Sequence, residues 1–178
     1  MQLQFSFIIP VYNRPDEIQE LLQSFEALET NTPYEIVIVE DGSTNSSKKV
    51  VDSFKKKLNI AYFFKENSGP GDSRNYGMQY AKGNYFIILD SDCILPKQYL
   101  NEVEKSLIDV YVDCFGGPDA AHQSFSNLQK AINFSMTSFV TTGGIRGNKK
   151  SVDRIHSSCF VLNVGKEDEV KDLISFAN

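Results

Sequence analysis

Four short apolar runs, each followed by a break and then a helical pattern, constrain this 178-residue chain more than anything else in it. They are Phe5-Ser6-Phe7-Ile8-Ile9-Pro10, Glu35-Ile36-Val37-Ile38-Val39-Glu40, Ile60 to Phe64, and Tyr85-Phe86-Ile87-Ile88-Leu89. They are short and rich in β-branched and aromatic residues, so they read as strands. Between them, apolar residues recur at helical spacing. Behind Pro15 these are Ile18, Leu21, Leu22, Phe25 and Leu28; behind Asp41-Gly42-Ser43-Thr44, a turn and helix cap, they are Val50, Val51, Phe54 and Leu58. The stretch Glu66-Asn67-Ser68-Gly69-Pro70-Gly71 opens a third helix through Arg74 to about Ala81. Strands that are apolar throughout and alternate with helices form a mainly parallel sheet covered on both faces, a three-layer α/β/α architecture. Right-handed crossovers then bring the C-terminal end of every strand to one edge.

The second half is less regular. Leu100, Val103, Leu107 and Ile108 mark a helix after Pro96, and Val112 to Phe115 reads as a strand. Ser124 to Phe139 is expected to be helical, Thr141 to Lys150 a loop, Cys159 to Leu162 a strand and Glu167 to Ala177 a short helix. The whole, residues 1–178, is expected to form one domain.

Composition narrows the partners. A hydrophobic content of 41% argues against disorder, and a net charge of −5 without a basic stripe argues against nucleic acid. The three cysteines are widely spaced and form no CxxC pair, which fits reduced thiols in a reducing compartment. Met1-Gln2-Leu3-Gln4 leads directly into a strand, and no apolar run approaches the roughly 20 residues of a membrane span. A cytoplasmic location is expected, if need be at the inner face of the membrane.

Three polar clusters directly follow strands: Pro10 to Arg14, Glu40-Asp41, and Asp90-Ser91-Asp92. The topology sends all three to the edge where ligands bind in open α/β sheets. Side chains two apart in an extended segment point the same way, so Asp90 and Asp92 are expected to aim at one point. Two such carboxylates repel unless a cation sits between them, and a hard divalent ion with oxygen ligands suits the pair. An Asp-rich turn capping the next helix is the alternative. A nucleotide-binding dehydrogenase needs GxGxxG after the first strand, whereas this turn reads Pro10-Val11-Tyr12-Asn13-Arg14-Pro15.

Four motifs in order resemble the family 2 glycosyltransferases of the GT-A fold. Phe7 to Arg14 is similar to the family's opening strand, and Val37 to Thr44 to its second strand with the acid that reads the nucleobase. Asn67 to Gly77 is similar to the entry to its third helix, with Ser73 in place of the usual Ala, and Tyr85 to Asp92 to the strand bearing the DxD metal motif. The resemblance implies a Rossmann-like fold, with a nucleotide-binding half over residues 1–95 and a partial acceptor-side half over residues 96–178. It implies transfer of a sugar, with inversion, from a nucleoside-diphosphate donor such as a UDP-sugar to a saccharide or lipid-linked acceptor in polysaccharide or glycoconjugate synthesis. Peripheral membrane association would accompany such an acceptor.

The resemblance also implies roles. Asp41 accepts the N–H between the carbonyls of a uracil, and the backbone near Pro10, Val11 and Tyr12 reads those carbonyls. Arg14, Asn67, Gly71, Arg74, Asp90 and Ser91 contact the donor, Arg74 through its pyrophosphate or its base. Mn²⁺ or Mg²⁺ is held by Asp92 directly and by Asp90, the latter through water or in favour of ribose. One departure stands out. Phe160 to Gly165 resembles the stretch that precedes the family's acidic pair, and the chain ends soon after it. Asp119 and Asp168 are the weak candidates for the catalytic base. The chain is therefore expected to lack the C-terminal part of the family's domain, and a non-catalytic nucleotide-sugar-binding domain is the rival to a working transferase.

Overall fold

The structure is a computed structural model that describes residues 4–116 and 160–163, of which 114–116 and 160–163 are described by their backbone. Ten elements follow one another: β1 (Phe5–Val11), α1 (Pro15–Glu26), β2 (Tyr34–Asp41), α2 (Lys48–Phe54), β3 (Ile60–Lys65), α3 (Pro70–Tyr80), β4 (Tyr85–Ile88), α4 (Tyr99–Asp109), β5 (Cys114–Gly116) and β6 (Phe160–Asn163). The order across the sheet is β3-β2-β1-β4-β6-β5. The four strands read from the first half pair in parallel, with Ile8 beside Val37 and Ile88. β6 runs antiparallel to both β4 and β5, so the sheet is mixed at that end.

Side-chain alternation along the strands divides the core in two. On one face Phe5, Phe7 and Ile9 of β1 and Ile36 and Ile38 of β2 pack with Ile18, Leu21, Leu22 and Phe25 of α1, Val51 of α2, and Leu100, Val103 and Leu107 of α4. On the other, Ile8, Val37, Val39, Phe86 and Ile88 meet Tyr76 and Met78 of α3. The crossovers explain this division. The chain steps from β1 to β2 to β3 in one direction and returns from β3 to β4 in the other, so a constant right-handed crossover puts α3 on the opposite face. The reversal makes β1 and β4 neighbours at the topological switch point, where a crevice opens at the strands' C-terminal ends.

α3 approaches the sheet at Gly77. A Cβ built there would lie 2.7 Å from Ile8 Cγ2 and 3.1 Å from Val39 Cγ2, so the helix lies closer than an alanine would permit. The helix marked by Leu100, Val103, Leu107 and Ile108 is α4, but Ile108 is 71% exposed, and Leu100, Val103 and Leu107 alone form its buried stripe. The expected helices over Ser124 to Phe139 and Glu167 to Ala177 and the loop over Thr141 to Lys150 lie outside the described residues.

Candidate functional site

Three strand ends build one cavity of about 480 Å³ at the switch point. The chain leaves β1 and turns at Asn13, a non-glycine residue with φ 55°. Asn tolerates that left-handed backbone because its short polar side chain can bond locally. Here Asn13 Oδ1 accepts the Asn45 N–H at 2.8 Å and the Thr44 hydroxyl at 3.2 Å, while the Asn13 N–H donates to Ser43 Oγ at 2.8 Å. These bonds tie the loop after β1 to the loop after β2. Glu17, in the first turn of α1, does the same on the other side. It accepts from Arg14 at 2.9 Å and from the Ser91 hydroxyl at 2.9 Å, which links α1 to the turn after β4.

The two acids at the end of β2 divide their work. Glu40 is fully buried and closes the start of α2, accepting the Ser47 N–H at 2.8 Å, the Ser46 hydroxyl at 2.9 Å and the Tyr62 hydroxyl. Asp41, read from sequence as part of a turn and cap before α2, instead turns toward the loop before α3. Its Oδ1 accepts the Lys65 amine at 2.5 Å and the Ser68 N–H at 2.9 Å, and its Oδ2 accepts the Gly69 N–H at 2.9 Å. Burial alone would raise the Asp41 carboxyl; Lys65, the two backbone N–H groups and the Ser73 hydroxyl outweigh it and hold the group below its ordinary value. Asn67 Nδ2 donates to the Asp41 carbonyl at 2.9 Å. Gly42, at φ 67°, lets the two loops meet, since a Cβ there would sit 2.6 Å from the Asn67 nitrogen.

The acidic pair differs from its expected form. β4 ends at Ile88, and Ser91-Asp92 is a turn in which the Cys93 N–H donates to the Asp90 carbonyl at 3.3 Å. The extended alternation expected of Asp90 and Asp92 therefore does not hold. The turn, not the pleat, brings both to the same cavity, because it folds the chain back on itself. Asp90 Oδ1 accepts from the Arg74 guanidinium at 2.7 Å, so the bridge expected toward a donor is made within the chain. Desolvation raises the Asp92 carboxyl, and the neighbouring Asp90 charge raises it further. That is unbalanced negative charge of the kind a divalent cation relieves. Among the described residues no group of three His, Cys, Asp or Glu could hold a metal; an ion at Asp90 and Asp92 would need its other ligands from phosphate oxygens and water.

Of the site residues expected from sequence, Pro10, Val11, Tyr12, Arg14, Asp41, Asn67, Asp90, Ser91 and Asp92 line the cavity. Gly71 lies in the first turn of α3 and does not line it; Arg74 lies in the second turn and reaches its rim through Asp90. Asp119 and Asp168 lie outside the described residues. Glu17, Pro70 and Lys65 complete the site and were not singled out from sequence; Gly69, part of the motif from Asn67 to Gly77, lines it as well. Lys65 had a signal: it ends β3 on the same sheet edge as Asp41, so the topological argument that selected Asp41 reaches it too.

Comparison with known proteins follows this geometry. Poly(ribitol-phosphate) beta-N-acetylglucosaminyltransferase TarS of Staphylococcus aureus strain Mu50 is 33% identical over 103 residues, which is 56% of this chain and 18% of TarS. An uncharacterized glycosyltransferase of Rickettsia felis is 41% identical over 92 residues, 52% of this chain and 15% of that protein. The crystal structure of S. aureus TarS 1-349 in complex with UDP-GlcNAc superposes with a TM-score of 0.64 at 29% identity, covering 70% of this chain and 36% of that one. The mannosyltransferase PcManGT of Pyrobaculum calidifontis, in complex with GDP-Man and Mn²⁺, superposes with a TM-score of 0.68 at 19% identity over 97% of this chain and 47% of its own, a likeness of fold. The sheet is thus that of the GT-A glycosyltransferases. The chain spans less than a fifth of the length of these two curated relatives. Because the profile of glycosyl transferase family 2 matches residues 6–169, nearly the full length, the chain belongs to that family.

Proposed function

We propose that this chain binds a nucleoside-diphosphate sugar, a UDP-sugar, and transfers the sugar with inversion to an acceptor hydroxyl in polysaccharide or glycoconjugate synthesis. The observation that carries this reading is the shared cavity. One acid, Asp41, is held ionised as a hydrogen-bond acceptor, and a separate acidic turn, Asp90 to Asp92, lines the same space. A base with an N–H between two carbonyls suits Asp41, and a metal-bound diphosphate suits the turn. Support also comes from the likeness to a TarS structure that holds UDP-GlcNAc.

The residues divide the work as follows. Asp41 receives the base N–H, and the backbone of Pro10 and Tyr12 faces the base's carbonyls. The Tyr12 ring, half exposed at the cavity wall, offers a surface for stacking. Arg74 exchanges its bond to Asp90 for the donor's phosphates. Mn²⁺ or Mg²⁺ on Asp92 and Asp90 supplies the positive charge that offsets the charge building on the leaving diphosphate. The acceptor, a saccharide or a lipid-linked one, is reached from the cytoplasmic side; among the described residues no helix is long and apolar enough to cross a membrane.

A second reading has one specific observation behind it. Three of the described carboxylates at the cavity are already engaged, Glu17 with Arg14 and Ser91, Asp41 with Lys65, and Asp90 with Arg74, and the fourth, Asp92, is given to the metal in this proposal. That leaves none of them as the base that activates an acceptor. A chain that binds donor without turning it over fits that count.

Calorimetric titration of UDP, dTDP and GDP, with and without Mn²⁺, tests the proposal on the wild type and on Asp92→Ala. Mn²⁺-dependent UDP binding that Asp92→Ala removes is the expected result. Absence of UDP binding at millimolar concentration with Mn²⁺ present would refute it. Release of sugar from a bound UDP-sugar then separates transferase from binding domain.

A further inference from the structure

The amine of Lys65 is one of the most enclosed cations of the described structure; its side chain is 12% exposed. All three of its N–H bonds are placed. They go to Asp41 Oδ1 at 2.5 Å, to the Glu66 carbonyl at 2.9 Å and to Ser68 Oγ; the Asp72 carboxylate stands 3.3 Å away. No proton of this lysine is left to meet a phosphate, so Lys65 acts on Asp41 rather than on a ligand.

The asymmetry of Asp41 shows what that action is. Oδ1 holds two donors, the Lys65 amine and the Ser68 N–H, whereas Oδ2 holds one, the Gly69 N–H. The buried Ser73 hydroxyl beside this carboxylate helps to hold it low but makes no hydrogen bond of proper geometry, so Oδ2, with two lone pairs and one donor, retains a position for a further donor. Asp41 is 3% exposed, and loss of the cation would shift so buried a carboxyl toward its protonated form, which is a donor itself. The protonation state matters to the base that enters. Uracil presents an N–H at the position where cytosine presents a bare nitrogen. An acceptor-only carboxylate bonds the first and repels the second, and a protonated carboxyl reverses that preference.

We propose that Lys65 is a positioning residue that sets the choice of nucleobase: by occupying Asp41 Oδ1 it leaves Oδ2 as an obligate acceptor, which admits uracil and rejects cytosine. The proposal rests on the reading of the cavity as a nucleotide site. Lys65 touches neither base nor sugar; it determines which base Asp41 can bond.

Calorimetry with Mn²⁺ and three probes, UDP, CDP and inorganic pyrophosphate, tests it on wild type, Lys65→Gln, Lys65→Arg and Asp72→Asn. In K65Q, UDP affinity should fall about ten-fold or more, since a buried hydrogen bond to a charged group is lost or inverted. CDP affinity should hold or rise, so the UDP-to-CDP ratio collapses. Pyrophosphate affinity should stay at the wild-type level, because the acidic turn is untouched. K65R keeps the charge and should keep the ratio. D72N removes an exposed partner of the amine without touching Asp41 and should also keep the ratio. Equal loss of UDP, CDP and pyrophosphate in K65Q would overturn the proposal and make Lys65 a loop clamp; so would a ratio that collapses in K65R or D72N. If the wild type binds neither UDP nor pyrophosphate, the nucleotide reading fails instead, and the two failures are distinct.

Discussion

Gly77→Ala should destabilise the chain, although the same change in an open helix would stabilise it. Alanine is favoured over glycine in a helix interior by about 1 kcal/mol. Here the new Cβ would lie 2.7 Å from Ile8 Cγ2, and ordinary contact begins at 3.4 Å, so 3.4 − 2.7 = 0.7 Å of movement is needed. Neither obstructing atom is the end of a flexible chain. Ile8 and Val39 are fully buried, β-branched, and sit on the adjacent strands β1 and β2. Their χ1 angles are stiff, so the helix has to move away. Overpacking of this kind costs about 1–3 kcal/mol, and the upper part of that range applies where the neighbours are rigid. The net expectation is a loss of about 1–2 kcal/mol, which for a chain of this size lowers Tm by about 4 °C. Urea denaturation should show a lower midpoint with an unchanged slope. Because Arg74 lies one turn before Gly77, the displaced helix should also weaken UDP binding. A cycle with Ile8→Ala isolates the cause: with Cγ2 gone, the alanine at 77 should cost nearly nothing. Undiminished stability of G77A, or effects of the two changes that add within about 0.5 kcal/mol, would refute the argument.

Other outcomes follow from the site. Arg74→Met removes the cation beside Asp90, so Mn²⁺ binding without nucleotide should tighten several-fold by the loss of like-charge repulsion, while UDP binding weakens; the free Mn²⁺ spin-resonance signal reads both. Gly42→Ala forces a side chain into φ 67° against the Asn67 backbone, and should cost about 1–3 kcal/mol and lower UDP affinity, by urea denaturation and calorimetry. The Asp41 carboxyl is held low, so its contribution to stability is present above the unfolded carboxyl value of about 3.9 and is lost as pH falls through the lower folded value. Urea midpoints measured from pH 6 to pH 2.5 should fall more steeply in the wild type than in Asp41→Asn. Tyr62, half-buried and beside Glu40, has its hydroxyl pushed up to about 12, so absorbance titration should show one tyrosine ionising late, and Glu40→Gln should bring it earlier.

Local readings succeeded where near neighbours decide the outcome. The stripe Ile18, Leu21, Leu22 and Phe25 became the buried face of α1 because helical spacing puts those positions on one side, whatever lies opposite. β1 and β2 became interior strands because every residue from Phe5 to Val11 and from Glu35 to Asp41 is buried, as an uninterrupted apolar run between two helical layers requires. The extended geometry expected of Asp90 and Asp92 failed for a related reason, although both line one cavity. Alternation holds only while the strand continues, and nothing in the residues marked Ile88 rather than Leu89 as its end. Ile108 failed similarly: a fourth apolar residue at helical spacing need not have anything above it.

The alternation of strands and helices, the edge to which the polar clusters go, and the family itself are written in order along the chain, since each depends on residues a few positions apart. The pairings that make the site chemical are not. Asp41 meets Lys65, Ser68 and Gly69 across 24 to 28 residues, Arg74 meets Asp90 across 16, and Glu17 meets Ser91 across 74. Such distances carry no periodicity: the parallel pairing of β2 with β3 sets Lys65 and the loop after it beside Asp41, and the return of the chain from β3 to the far side of β1 brings Asp90 to Arg74 and Ser91 to Glu17.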